Sequence, residues 1–305
     1  MAELPTGERQ LKILVTGGTG FVGQKIVHAL RAENRDVRAL VRDPARATRL
    51  SAWGAELATG NLGDAESIRR AADGCTHVIH LAAIIRGRPG DFQRVMVEGF
   101  DNVLAAAQSA AVERFVLMSA IGTDESTKDT VPYYRAKWHE EQGVKSSGLE
   151  HVIFRPSFVF GRDGGALPTF IRQVKLSPVV TVIGPGRQRS QPIWVEDVAS
   201  YVARGLNLTD AANRTFDLGG PDVVDWNELY RRIAAALGKR RPLVHLPFIA
   251  ARAIAVATER LPGSPFSADQ VTMLQGADNV ASSNDAVSTF RLPLVSLDEQ
   301  IRRAC

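Results

Sequence analysis

The stretch Lys12-Ile13-Leu14-Val15-Thr16-Gly17-Gly18-Thr19-Gly20-Phe21-Val22-Gly23 decides the fold. Its first five residues form a mainly apolar, β-branched run, the form taken by a parallel strand covered on both faces. Glycines at 17, 20 and 23 then lead into a segment that reads as a helix from Val22 to Ala32. Gly17 permits a tight turn, Gly20 lets the backbone approach a pyrophosphate, and Gly23 lets the helix lie close to the strand. The helix start offers unpaired N–H groups and about half a positive charge to an anion. Glycine spacing alone is weak, but here it follows a first strand and opens a helix within a βαβ unit. It predicts that Gly17, Thr19, Gly20, Phe21, Val22 and Gly23 hold a dinucleotide; the alternative is a glycine turn with no ligand.

Outward from this loop, strands and helices alternate. Strands are expected at Val37–Val41, Ala55–Thr59, His77–Leu81, Arg114–Met118 and His151–Phe154. Helices are expected at Ala45–Trp53, Ala65–Ala72, Gly99–Ala111 and Tyr133–Lys145. The rhythm predicts an α/β fold, a doubly wound parallel-sheet Rossmann domain. After Arg155-Pro156 the segment Ser157–Arg189 turns rich in glycine and proline, and Val195–Leu206 and Thr215–Leu218 then resume the pattern. From Pro221 onward helices dominate, among them Trp226–Leu237 and Phe248–Glu259. The expected division is a dinucleotide-binding domain over 11–165 and 190–220, and a smaller, discontinuous, mostly helical substrate domain over 166–189 and 221–305.

Composition narrows the class. Of 305 residues, 45% are hydrophobic and 23% charged, near the soluble globular average. Two cysteines give neither a disulfide framework nor a metal-ligand pattern, and no metal site is expected. No secretory signal and no long apolar run is visible, so a cytoplasmic protein is expected. The net charge is +4, and the segment from Arg155 to Arg189 carries six basic residues against Asp163. Such a local cluster suits a small anionic ligand better than a nucleic-acid track, and no nucleic acid is expected.

Further segments carry a likeness. Gly60-Asn61-Leu62, Leu81-Ala82-Ala83, Tyr133 with Lys137, Arg155-Pro156 with Val159-Phe160-Gly161, and Pro192 to Ala199 follow the glycine loop in order. With it they resemble the short-chain dehydrogenase/reductase superfamily in its extended and atypical branches, from Lys12 to Arg303. The segment Leu176 to Ala199 and the tail Ala277 to Ala286 look like bacterial relatives of the NADPH-binding accessory subunit of respiratory complex I. The resemblance implies a nicotinamide cofactor held by the glycine loop, Asn61, Leu62, Leu81, Ala82, Ala83, Lys137 and Pro156. For Ala82 and Ala83, ordinary strand-end packing is an equal alternative.

Arg42 follows the second strand, 25 residues after Gly17. NAD-selective relatives place an acid there, whereas arginine pairs with a ribose 2′-phosphate, so NADP(H) is favoured over NAD(H). Arg46, one turn on, adds to this; the alternative is that Arg42 only stacks on adenine. The resemblance makes Tyr133 the proton donor or acceptor and Lys137 the ribose ligand whose charge lowers the phenol pKa. Their four-residue spacing puts both on one helix face. The family's third group is a hydroxyl, and Ala120 stands at its usual place, with Ser119 or Thr123 as the substitutes.

On the substrate side Ser157, Arg187 and Arg189 are candidates, the arginines for an anionic group, although exposed loop arginines are the blander reading. Asp197 is expected to tie the sheet edge to the small domain. Lys239-Arg240-Arg241 precede an apolar stretch over Pro242–Val256. Packing on its own domain is favoured there over contact with the inner membrane face. Trp138-His139-Glu140-Glu141-Gln142 reads as a charged helix surface, which predicts a monomer or weak homo-oligomer. Two functional readings follow. One is an NADP(H)-dependent oxidoreductase or epimerase/dehydratase-like enzyme on a small carbonyl or hydroxyl substrate. The other is a non-catalytic NADPH-binding accessory or assembly protein of respiratory or quinone metabolism.

Overall fold

A computed structural model describes residues 11–258 and 266–305. The chain runs β1 (Lys12–Thr16), α1 (Phe21–Ala32), β2 (Asp36–Val41), α2 (Thr48–Ala52), β3 (Glu56–Thr59), α3 (Ala65–Ala72) and β4 (His77–His80). It continues through α4 (Pro89–Phe92), α5 (Gly99–Ser109), β5 (Arg114–Met118), α6 (Pro132–Ser146), β6 (Glu150–Pro156) and β7 (Val159–Phe160). Then come α7 (Leu167–Leu176), β8 (Val180–Ile183), β9 (Arg189–Ser190), β10 (Ile193–Trp194), α8 (Val195–Gly205), β11 (Arg214–Leu218) and β12 (Val224–Asp225). The chain closes with α9 (Trp226–Ala236), β13 (Leu243–Leu246), α10 (Phe248–Thr258), α11 (Ala268–Gly276), α12 (Asp285–Phe290) and α13 (Leu297–Ala304).

The main sheet has seven parallel strands in the order β11-β6-β5-β4-β1-β2-β3. Strand order reverses between β1 and β4, so the crevice at their carboxyl ends is where a ligand of such a sheet binds. Both faces are covered, which is why β1 and β5 are mainly apolar and β4 is buried throughout, its ends closed by His77 and His80. One face packs Ile26, Val27 and Leu30 of α1 with Val198 and Val202 of α8. The other packs Ile68 of α3, Phe100 and Val103 of α5 and Val144 of α6. A third core joins Ile171 and Val174 of α7, Val180 and Val182 of β8, Leu229 and Ile233 of α9, and Ile301 of α13.

Three expectations are revised. The single helix expected at Ala45–Trp53 is a 3-10 turn, Pro44–Arg46, followed by the short α2. Asp43 Oδ1 accepts from the Ala45 N–H and Pro44 starts the turn, so the segment tightens before α2 begins. The helix expected from Gly99 is the end of a longer helical run, which enters through α4 and a π-helical stretch, Gln93–Glu98. The region beyond Pro221 also holds strands: β13 pairs parallel with β8, and β12 antiparallel with β9. These pairs bring the middle segment and the C-terminal segment together. Asp197 Oδ2 accepts from the Val295 N–H at 2.9 Å, tying α8 to the chain ahead of α13.

Candidate functional site

The glycine loop is built from backbone. Gly17 has φ +76°, and a Cβ there would lie 2.7 Å from the Ala82 nitrogen, so this turn and the end of β4 touch. A Cβ on Gly23 would lie 2.2 Å from the Gly17 carbonyl oxygen, which forces the close approach of α1 to the turn. The Gly20 N–H donates to that same carbonyl at 3.0 Å. Gly20 caps α1 without a side-chain hydrogen bond, and Thr19 and Gly20 are exposed. The first-turn N–H groups of α1 are thus left facing the crevice with no side chain satisfying them, a cradle that fits a pyrophosphate. The Phe21 ring plays a different part. It fills the space above Gly161 and Gly164, whose Cβ atoms would sit 2.6 and 2.4 Å from it. Val22 packs on the core beneath.

Around this cradle, Arg42 is exposed at the end of β2, with no side-chain partner among the described residues. Asp43 faces Ala45 and Arg46 instead, and Arg46 is itself exposed. Asn61 Oδ1 accepts from the Gly63 N–H at 2.9 Å, which holds the loop after β3 in shape. The Leu62 carbonyl accepts from Asn102 Nδ2 at 2.9 Å. Leu81 packs on the core, Ala82 is half-buried and Ala83 is exposed. Pro156 ends β6, its carbonyl accepting from the Ile121 N–H at 3.2 Å.

The reactive pair lies on α6. Tyr133 packs in an apolar cluster with Ile84, Phe92, Val95, Met96 and Ala136. Burial, and then the Glu140 carboxylate, push its phenol well above the ordinary tyrosine range. Lys137 is fully buried; its Nζ donates to the Met118 carbonyl at 2.7 Å and to Glu140 Oε2 at 2.8 Å. The expected lowering of the phenol pKa by Lys137 is therefore reversed. The ammonium charge faces Glu140, and desolvation dominates at Tyr133. Tyr134 is the more deeply buried of the two tyrosines by exposure, its hydroxyl packed against Gly122.

Two glutamates that read as surface are buried. Glu141 Oε1 and Oε2 accept from Arg155 Nε and Nη2 at 2.7 and 2.6 Å, and from Ser119 Oγ and Lys145 Nζ at 2.6 and 3.2 Å. Glu140 has only Lys137; its Oε1 has no partner, and burial raises its carboxyl to about 7. The charged-surface reading of this helix fails because Glu140 and Glu141 stand three and four residues after Lys137, on the face turned to β5 and β6. Ser119, expected to replace the missing hydroxyl, is committed to Glu141, and Thr123 is buried beside it. His80 completes the interior: Nδ1 lies 2.8 Å from Thr16 Oγ1, Nε2 is unpartnered, and burial with the Lys137 charge lowers its pKa to about 3.

The substrate-side candidates also move. Ser157 Oγ donates toward Asn279, 2.6 Å from its Oδ1 and 2.9 Å from its carbonyl, so it anchors the C-terminal tail. Arg189 is paired with Asp278, Nε to Oδ2 at 2.7 Å, which neutralises the charge expected to meet a substrate. Arg187 stays exposed, with no side-chain partner among the described residues. Glu140, His80, Asp278 and Asn279 are the residues that sequence reasoning missed. Only the adjacency of Glu140 to the Tyr133 and Lys137 face could have marked one of them. Among the described residues no cluster of metal-ligating side chains occurs.

Comparison with known proteins places this geometry. The family model described as NAD(P)H-binding matches residues 17–207. A 4-hydroxy-2-methyl-3-oxo-4-farnesyl-3,4-dihydroquinoline-1-oxide ketoreductase of Stigmatella aurantiaca is 30% identical over 271 residues, 82% of this chain and 80% of that protein. The photosystem II assembly factor Ycf39 of Cyanophora paradoxa is 29% identical over 71% of this chain and 65% of its own length. Among solved structures, the NADPH-dependent quinone oxidoreductase QOR2 of Escherichia coli, complexed with NADPH, superposes with a TM-score of 0.77. It is 20% identical, with 95% of this chain and 98% of that one covered, and shares the fold.

Proposed function

The chain belongs to the NAD(P)H-binding family, in the extended short-chain dehydrogenase/reductase branch, and on that premise we propose that it is an NADPH-dependent reductase of an apolar carbonyl compound. The observation that carries this reading is Tyr133, half-buried on α6 with its ring among apolar side chains, whose surroundings push the phenol above the ordinary tyrosine range. A protonated phenol can donate to a carbonyl oxygen as negative charge develops there. It is a poor base for the reverse reaction. A bound nicotinamide supplies the hydride in this chemistry. The uncapped start of α1 would hold the pyrophosphate, and Arg42, unpartnered at the end of β2, supports recognition of a 2′-phosphate. Lys137 and Glu140 hold the floor below Tyr133. Ile84, Phe92 and Met96 exclude water from the phenol and favour an apolar substrate. The farnesyl group in the ketoreductase relative's name agrees with that choice.

The second reading, a non-catalytic NADPH-binding assembly or accessory protein, is favoured by Ala120 and by the commitment of Ser119 to Glu141. No positioned hydroxyl stands beside Tyr133 at that site. The Ycf39 relative is an assembly factor by name. Replacing Tyr133 by Phe separates the two. NADPH consumption with medium-chain ketones and short-chain quinones should fall by about two to four orders of magnitude, while NADPH affinity stays within about twofold. Tight NADPH binding with no turnover in either protein would replace the reductase reading by the second one, and equal turnover by the Y133F variant would remove Tyr133 as the proton donor.

A further inference from the structure

Helix α10 is built with its large side chains outward. Ala251 and Ala255 are the residues it buries. Ile249, Arg252, Ala253 and Val256, at the i, i+3, i+4 and i+7 positions of one face, are exposed, with Ile249 at 86% and Val256 at 58%. The sequence expectation that this stretch packs on its own domain holds for Leu243, Leu246, Phe248, Ala251 and Ala255, and the outer face of α10 is left exposed. The surroundings share the character. Of the nine large apolar residues exposed among the described residues, six (Leu176, Val179, Val244, Ile249, Ile254 and Val256) lie in residues 164–187 and 233–258. Those two segments contain no Asp or Glu and seven Lys or Arg.

The segments are neighbours in space. β8 and β13 pair along their whole lengths, and Phe248 of α10 closes over Gly184. Lys239 Nζ donates to the Lys175 carbonyl at 3.0 Å and Arg241 Nε to the Val174 carbonyl at 3.1 Å, setting the basic turn against the end of α7 where Leu176 is 78% exposed. Arg240 and Arg252 are exposed and have no side-chain partner among the described residues. The two adjacent segments thus carry exposed aliphatic side chains and cations, with no acid from either segment.

We propose that this face docks on an anionic lipid bilayer, Ile249, Val256 and Leu176 entering the headgroup boundary while Lys239, Arg240 and Arg252 meet lipid phosphates and carboxylates. Two adjacent basic segments that hold no acid and carry outward aliphatic side chains are complementary to an anionic, amphipathic partner. It does not depend on the cofactor reading.

The test is co-sedimentation of the full chain with vesicles of phosphatidylcholine alone or mixed 3:1 with phosphatidylglycerol, a ratio of about one anionic lipid in four. Binding is expected on the mixed vesicles, weaker by at least about tenfold on the neutral ones and in high salt. The double substitution I249S/V256S should leave the melting temperature unchanged, because both side chains are exposed, and weaken binding by about tenfold or more. Arg240→Ala should weaken it by about fivefold. No binding to the mixed vesicles, or binding insensitive to I249S/V256S, overturns the proposal. A dimer in sedimentation equilibrium that the same substitutions dissociate also overturns it, by giving the face to a second copy.

Discussion

The end of β1 and the end of β5 reach the same crevice, yet one offers bare backbone and the other offers side chains already paired with each other. At β1, three glycines bring the turn, the helix start and the edge of β4 within contact, and no side chain caps α1. At β5, Lys137 pairs with Glu140, and Glu141 accepts from Ser119 and the half-buried Arg155, so the charges on the inner face of α6 are already paired. The first region is shaped by what is missing and is open to an anion. The second is shaped by charge pairing in low dielectric, where each group's state is decided by its neighbours. The difference explains why a phenol beside a lysine can still be held protonated: the lysine's charge is directed at a buried carboxylate.

The comparison can be broken at three points. The largest effect is expected at the backbone cradle. Gly23→Ala places a methyl 2.2 Å from the Gly17 oxygen. It should destabilise the fold by about 3 kcal/mol and weaken NADPH binding by at least about tenfold. Denaturant titration and nicotinamide fluorescence check this, and an unperturbed variant would mean the loop is not close-packed.

An intermediate effect concerns Glu140, whose carboxyl is raised from 4.5 to about 7. The folded chain holds this proton more tightly than the unfolded one. The associated stability is therefore fully present below about pH 4.5 and lost as pH rises through about 7, on the order of 3 kcal/mol in all. Glu140→Gln keeps an acceptor for Lys137 and removes the titration. Its melting temperature should be lower than wild type near neutrality, because the buried ammonium loses its counter-charge. Its slope between pH 5 and pH 8, in steps of about one unit, should be flatter. Parallel pH profiles for the two proteins would show that Glu140 does not titrate in this range.

The smallest effect is expected at Arg42, an exposed side chain. Arg42→Ser should leave the melting temperature unchanged and reduce the ratio of NADPH to NADH affinity by about tenfold, or about 1.4 kcal/mol. An unchanged ratio would make Arg42 a bystander and leave the backbone cradle as the whole cofactor site.

The parallel sheet was legible in the sequence because each buried strand had to be mainly apolar, and α3 and β5 fall where the pattern put them. The glycine loop was legible for the same kind of reason: a side chain at Gly17 or Gly23 would run into backbone. Glu140 and Glu141 were misread as surface because a glutamate's burial depends on cations from elsewhere, here Lys137 in the same helix and Arg155 in β6. Ser157 and Arg189 were misread because their partners, Asn279 and Asp278, lie 122 and 89 residues away. For α10 the expected packing on its own domain holds along one face, and only the tertiary structure shows that Ile249 and Val256 on the other face stay exposed.

By itself the sequence determined what is local or periodic: the strand and helix alternation, the phosphate turn, and the four-residue step from Tyr133 to Lys137. Tertiary structure alone decided which charges are buried and whom they face, and which side of an apolar helix is left to solvent. The reason is range. Backbone sterics and side-chain periodicity act within a few residues, whereas the protonation of Tyr133 and Glu140 and the exposure of Ile249 follow from groups that the chain brings together only by folding.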